Sequence, residues 1–409
     1  MQNGLRPLLT VWLAWLVLMA GANLATPLYA VYAQRFHFSS LVLTAIFATY
    51  AVVLVPSLIL FGRLSDRIGR RLVILLGLGA AICGLALFAA AQSTAWLFGA
   101  RVFQGLAVGM ISGAATAALV ELDPGSDRRR AALFAGLAQT GGSALGPLLA
   151  GTFAQWLPAP RQLSFLLVLG TTVAAAAFVM RLPEPSEGER EPWRIHWPRV
   201  PTAIRAPFAR VSLTAALVWA ALALFLSIVP SYAGEILGTS NLALLAAVAV
   251  LALLASGGTQ VAAQRFAGML RRDQAIGLVL LAAGLVAVVV AAPLASLALL
   301  AAGAATAGAG HGLAFINAQQ ELNEIAPADH RGEVTSAFIA CVYAMVAGSV
   351  IATGVLDEWF SLAVSVGAVA VVLVVIALAA AVWQTGARPT SRRRRAGAAR
   401  PSTSRPASR

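Results

Sequence analysis

With 409 residues, of which 59% are hydrophobic and 11% charged, the chain has less than half the charged fraction of an average soluble domain, about 25%. Such a composition cannot coat a globule in water, and a mean hydropathy of +0.82 agrees; burial in a bilayer accounts for both, because lipid accepts apolar surface on the outside of a fold. The formal net charge of +13 comes with 29 basic residues, all of them Arg, but they sit in loops and one tail rather than on a folded face, which argues against a nucleic-acid partner.

In chain order, runs of about 20 apolar residues recur with short breaks. They cover residues 8–33, 41–61, 72–91, 96–119, 131–157, 163–181, 209–232, 241–263, 274–292, 295–319, 332–354 and 360–383. The first is too long for a signal-peptide core and leads into another apolar run, so it reads as a span. Twelve spans put both termini on one side. With the termini inside, the outer loops hold only Arg35 and Arg161, and Arg101 lies within span four; the remaining 26 of the 29 Arg are cytoplasmic. The positive-inside rule then sets the orientation. The all-Arg, Ala- and Gly-rich composition suggests a GC-rich bacterial source, hence a bacterial inner membrane. The predicted fold class is an all-α membrane protein of twelve transmembrane helices.

The longest break divides the spans six and six. A first six-helix bundle is expected over residues 1–182, a cytoplasmic linker over 183–208 and a second six-helix bundle over 209–387. The tail, 388–409, is Arg, Ser, Pro and Ala without a core-forming pattern; it is expected to be disordered and to act as a topology signal attracted to anionic lipid. Cys83 and Cys341 lie inside apolar runs and read as small buried apolar residues, with no disulfide or metal site implied. The halves also repeat. At an offset of 203 residues Gly105 matches Gly308, Gly109 matches Gly312, Glu121 matches Glu324, Pro124 matches Pro327, Arg128 matches Arg331 and Gly151 matches Gly354. Because six is even, the two bundles share an orientation and are related by a pseudo-twofold axis along the membrane normal.

Between spans two and three the chain reads Gly62-Arg63-Leu64-Ser65-Asp66-Arg67-Ile68-Gly69-Arg70-Arg71. Gly62 allows close helix approach and Gly69 a tight reversal. Asp66 is an acid in a basic loop and needs a partner; a helix N-terminus supplies one worth about 0.3–1 kcal/mol, or about 2 if partly buried. The ten residues fill every specified position of the signature loop of the major facilitator superfamily (MFS), and the loop stands between the same two spans on the cytoplasmic side. The chain is thereby similar to that superfamily, in its drug or metabolite exporter branch. The resemblance implies that Asp66 meets the start of span eleven, near Gly332 to Ser336. Arg67, Arg70 and Arg71 are candidates to pair with Glu121, Asp123 or Asp127. Together with Gly62 and Gly69 these residues form an expected conformational latch that holds the outward-open state. The matching loop of the second half, Gln264 to Arg272, keeps Arg and lacks the acid.

Arg101-Val102-Phe103-Gln104-Gly105 in span four resembles the family's Arg-x-x-x-Gly motif. A charge near the bilayer centre costs roughly 2.5–3.5 kcal/mol on insertion scales, and Arg does not deprotonate. It must snorkel outward, pair, or face a wet cavity. Span five carries Gly142-x-x-x-Gly146-Pro147-x-x-x-Gly151, similar to the fifth-span motif of the family's exporters, with Ala150 where that motif usually has Gly. Small residues four apart make a face that packs closely, and Pro147 permits a bend. Pro27 does the same in span one and frees the carbonyl of Asn23. Asn23, Thr26, Tyr29, Gln139, His311 and Asn317 are candidate substrate-cavity groups, each of which serves equally well in a helix–helix hydrogen bond. No Asp or Glu is placed deep in a span, so the candidates for proton coupling are His311 and Glu235, beside Arg101 and Gly105.

The expected function is alternating-access movement of a small molecule, proton-coupled export before an MFS uptake carrier or facilitator for a sugar or organic acid, with a transport-dead sensor as a remote alternative. An enzyme is not expected, since the four His have no ligand spacing and no nucleophile–base pair stands out. No phosphate-binding loop of the Gly-x-x-x-x-Gly-Lys-(Ser/Thr) kind occurs, which argues against ATP-driven transport. No cofactor and no metal are expected; the partners are a small-molecule substrate, a proton and the lipid bilayer, and the chain is expected to be a monomer.

Overall fold

The computed structural model describes residues 5–125, 128–159, 161–184, 199–265, 270–327 and 330–386; within them residues 62, 63, 66 and 331, among others, are described by backbone alone. Every regular element among the described residues is helical. In order these are α1 (Arg6–Asn23), α2 (Tyr29–Phe36), α3 (Ser40–Ile68), α4 (Arg70–Ala89), α5 (Thr94–Glu121), α6 (Arg128–Trp156), α7 (Leu163–Met180), α8 (Arg205–Ser227), α9 (Val229–Leu237), α10 (Leu242–Arg265), α11 (Leu270–Leu294), α12 (Leu297–Ile325), α13 (Arg331–Asp357) and α14 (Leu362–Gly386). The first predicted span is α1 and α2 joined by a 3-10 turn at Thr26–Leu28, and the seventh is α8 and α9. Both interruptions fall at a proline, Pro27 and Pro230, which share the 203-residue offset of the repeat. Among the described residues, 11 segments qualify as membrane-crossing by length and composition. α6 falls short because Gln139, Thr140, Gly141, Gly142 and Ser143 occupy its middle.

The apolar core follows the chain's two halves. Two hydrophobic clusters are built wholly from residues up to Leu182. Among the described residues, a third runs from Phe208 to Ala381 and takes Phe47 and Ala144 from the first half, with half-buried Leu148 packed against it. Inside each half, the repeated glycines perform the same task. A Cβ on Gly105 would stand 2.8 Å from the Tyr50 carbonyl oxygen of α3, and one on Gly109 would overlap Ser57. On α12, a Cβ on Gly308 would overlap the Ala252 backbone of α10, and one on Gly312 the Ser256 backbone. Thus α5 rests on α3 as α12 rests on α10, backbone to backbone, which is how helices associate where lipid removes the hydrophobic drive.

One expectation changes. Cys83 and Cys341 are exposed rather than buried; their helices present the thiols on the outer surface, where lipid accepts them as readily as a core does. The basic tail, 388–409, and residues 185–198 of the linker lie outside the described residues.

Gly308→Val forces a branched side chain onto the Ala252 backbone, and overpacking of this kind costs about 1–3 kcal/mol. The purified variant is expected to melt several degrees below the parent. Gly79→Ala, where a Cβ meets nothing within 4 Å, is expected to leave the melting temperature unchanged.

Candidate functional site

The break in span one and the charge in span four solve each other's problem. α1 stops at Asn23, leaving carbonyls without their helical partners. Arg101 Nη1 donates to the Ala22 carbonyl at 2.9 Å and to Gln104 Oε1 at 2.8 Å, and its Nε donates to the Tyr29 hydroxyl at 2.5 Å. Gln104 Nε2 donates in turn to the Gly21 carbonyl at 2.9 Å. The donors therefore land one and two residues before Asn23. The guanidinium lies 5.3–5.9 Å from the ring centroids of Tyr29, Phe47, Tyr50 and Phe88. With 2% exposure Arg101 does not snorkel; carbonyl dipoles and ring faces hold its charge. Asn23 Nδ2 bonds the Met19 carbonyl at 3.0 Å and Ser143 Oγ of α6 at 3.2 Å, a helix–helix bond. Thr26 is buried, and its hydroxyl has no partner among the described residues. Gln139 is half-buried on α6.

In the second half, His311 of α12 is 2% exposed. Its Nδ1 is 2.7 Å from Ser256 Oγ of α10, and Ser256 also receives Gln260 Nε2 at 3.0 Å. The imidazole meets Trp219 of α8 edge-on at 5.0 Å and stacks on Phe315 at 5.6 Å. Its Nε2 has no partner among the described residues. Asn317 bonds its own helix, donating to the Leu313 carbonyl at 2.8 Å. Glu235 is exposed near the end of α9. Between the halves, Tyr50 of α3 meets Tyr343 of α13 edge-on at 6.4 Å. The fifth-span motif divides its contacts. A Cβ on Gly142 would overlap the Leu16 backbone of α1 and one on Gly146 that of Ala20, whereas Gly151 faces Leu242 and Ala246 of α10.

In the signature loop, Gly69 takes φ +97° between α3 and α4, the left-handed region that glycine enters freely. Arg70 Nε and Nη2 bond Glu121 Oε1 at 3.3 and 3.2 Å, and its Nη1 bonds Ser65 Oγ at 2.7 Å. Asp123 pairs with Arg130. Arg71 Nη1 donates to the Leu182 carbonyl at 2.7 Å, while its backbone N–H meets Glu184 Oε1 at 3.2 Å. Arg67 is exposed. The side chain of Asp66, residue 62 beyond its backbone, and Asp127 lie outside the described residues, as does the second half's loop over 266–269.

A buried charged group corrects one expectation. α12 continues to Ile325, past the predicted end of span ten, and Glu321 is 5% exposed within it. It pairs with Arg210 of α8, itself 3% exposed. Gln274 Nε2 of α11 bonds Glu321 Oε2 at 2.8 Å; Gln384 of α14 bonds Arg210, Thr214 and Gln274. The readable signal was four polar residues at the same end of four spans, each within about a turn of a predicted boundary.

Fold and site together define a multi-pass helical membrane protein in which Tyr50 of the first half faces Tyr343 of the second. The family model of the Major Facilitator Superfamily matches residues 11–349, and the chain belongs to that superfamily. A triacylglyceride transporter of Mycobacteroides abscessus is 35% identical over 116 residues, 28% of this chain. The match spans only 22% of that protein's length. Two solved POT family transporters share the fold. One, in complex with 5-aminolevulinic acid, superposes with a TM-score of 0.78 at 14% identity, covering 93% of this chain and 96% of its own. The other, in complex with a thioalcohol-conjugated peptide, gives 0.77 at 13% identity with the same coverage.

Removing one member of a buried ion pair strands the other, at about 3–5 kcal/mol, whereas an apolar replacement of both is close to neutral. Glu321→Ala is therefore expected to lower the melting temperature sharply. The double variant Arg210→Met with Glu321→Leu is expected to recover most of the loss.

Proposed function

We propose that this chain is a secondary active transporter that exports a small molecule across a bacterial inner membrane by alternating access, driven by inward proton flow, with both termini in the cytoplasm. The observation that carries this reading is the divided contact of α6. Gly142 and Gly146 seat it on α1 while Gly151 faces α10 across the interface. A motif similar to that of the family's exporters thus lies where the two halves meet. Residues 1–182 and 209–387 act as the rocking bodies, joined by 183–208. The substrate is held between Asn23, Gln139 and Tyr50 on one side and Trp219, Phe315 and Tyr343 on the other. His311, an imidazole at mid-span with one free nitrogen, is the proton-carrying group; Arg101 fixes the bend in span one against which the substrate rests. No covalent step, metal or cofactor enters, and the monomer suffices.

The Arg distribution supports the cytoplasmic placement of the termini. Uptake of a sugar or organic acid is the rival direction within the same fold. The short match to a triacylglyceride transporter favours a second cargo class, a lipid-like molecule, over a sugar.

Purified protein in liposomes carrying an imposed proton gradient is expected to move its substrate against concentration, and an uncoupler is expected to stop it. Flux that persists unchanged with the uncoupler would overturn proton coupling. His311→Ala is expected to keep downhill exchange and lose the proton dependence. Asp66→Asn is expected to insert normally and to slow flux about fivefold or more, the scale of a typical coupling free energy; normal flux would remove the latch role.

A further inference from the structure

The two halves touch at the end of the bundle opposite the termini, and they do so twice in the same way. On α6, Gly151 lies against the first turn of α10: a Cβ there would stand 2.6 Å from Ala246 Cβ and 2.7 Å from the Leu242 carbonyl oxygen. On α13, Gly354 lies against the first turn of α3: a Cβ would overlap Thr44 and stand 3.0 Å from the Ser40 carbonyl oxygen. One turn further along each helix, a side-chain oxygen crosses to a backbone N–H at the start of the facing helix. Gln155 Oε1 accepts from Leu242 N at 2.9 Å, and Glu358 Oε1 accepts from Leu41 N at 3.4 Å. The next residue in each case is an exposed tryptophan, Trp156 at 68% and Trp359 at 81%. Gly151, Gln155 and Trp156 correspond to Gly354, Glu358 and Trp359 at the same 203-residue offset.

The two sets share their geometry, although Gln155 is neutral and Asn241 also caps α10 through Leu244 N. Glycine lets two helices approach within backbone contact. The first N–H groups of a helix lack intrahelical partners, and an oxygen from outside satisfies one of them. α3 has no side-chain cap of its own, so Glu358 supplies what Ser39 does not. A carboxylate at that position is also favoured by the helix dipole. Exposed tryptophan at the end of a membrane helix anchors it at the lipid–water interface, which fixes the height of each gripping helix.

We propose that Gly151-x-x-x-Gln155-Trp156 and Gly354-x-x-x-Glu358-Trp359 are a twofold pair of clasps that seal the outer side of the transporter, each gripping the capped first turn of a helix from the other half. Both clasps must release for the cavity to open outward. Ser227 sits beneath the α3/α13 clasp, 2% exposed, in a small recess with Ser40, Thr44, Ser231 and Thr353. The inference rests on the transporter reading for its orientation and its purpose, but its test needs no substrate.

The test uses the full chain with Cys83→Ser and Cys341→Ser, and with Ser227→Cys as the single thiol. A membrane-impermeant maleimide is applied to intact cells and, separately, to inverted vesicles. The parent is expected to label slowly. Gly354→Leu is expected to speed labelling from outside about tenfold by shifting the closed–open balance. Gly151→Leu, in the other clasp, is expected to do the same, because rigid halves that rock apart at one seam part at both. Gln155→Ala and Glu358→Ala are expected to act in the same direction, about threefold, as the loss of a cap would give. Folded leucine variants that label no faster than the parent would overturn the proposal, as would acceleration by Gly354→Leu with none by Gly151→Leu. Should a leucine variant fail to fold, the two alanine variants decide, and no acceleration by either overturns it. Acceleration seen in inverted vesicles instead of cells keeps the clasps and overturns the orientation. Normal clasp behaviour without flux keeps the clasps and overturns the transport reading.

Discussion

Helix-on-helix contact through glycine is the constraint on which this structure depends. In lipid, burying a leucine against another helix gains little over leaving it among acyl chains, so packing must come from close approach and from polar bonds. Gly105 and Gly109 bring α5 to α3, Gly308 and Gly312 bring α12 to α10, and Gly142 and Gly146 bring α6 to α1. At these positions a methyl group would meet a neighbouring backbone or the base of a side chain. The contact of α5 on α3 recurs as that of α12 on α10 at one offset, so the twofold relation is a property of the packing as well as of the sequence.

Charge is handled by a second rule: among the described residues, each buried charged side chain has polar partners. Arg101 takes carbonyls exposed by the break at Pro27, and the break is tolerated because Arg101 and Gln104 occupy those carbonyls. The bonds to the end of α1 offset part of the cost of placing a charge in span four. Arg210 and Glu321 follow the same rule with four helices contributing. The desolvation cost is large, and the two glutamines and Thr214 supply the remaining bonds.

Much of this was legible in the sequence, for a physical reason. Membrane helices must be long and apolar, so the spans declared themselves, and the repeat and the signature loop carried the topology. Gly69 takes the positive φ expected of it, and Arg70 finds Glu121 as proposed. What the sequence hid were partners across helices. Arg210 and Glu321 stood at the edges of apolar runs, where a boundary drawn at 319, two residues short of Glu321, turns one member of a buried pair into a loop charge. Cys83 and Cys341 were read as buried because apolar surroundings in sequence do not distinguish a lipid-facing position from an internal one. Gln155 and Glu358 gave no signal at all as single residues; only their shared offset from Gly151 and Gly354 marks them.

The placement of strong and weak contacts then decides what can move. Among the described residues, the ion pairs Arg70–Glu121, Arg130–Asp123, Arg210–Glu321 and His330–Glu333 each lie within one half. The polar bonds that cross between halves at the far end are single hydrogen bonds, Gln155 to Leu242 and Glu358 to Leu41. A net hydrogen bond is worth about 0.5–1.5 kcal/mol, so two of them with van der Waals contact hold a state that a bound ligand or a proton can reverse. Had the buried Arg210–Glu321 pair spanned the interface instead, each opening would have stranded two charges in a low-dielectric interior. Rigid halves with a reversible seam are what the proposed alternating access needs, and the buried Arg210–Glu321 pair lies inside one half, where motion between the halves leaves it intact.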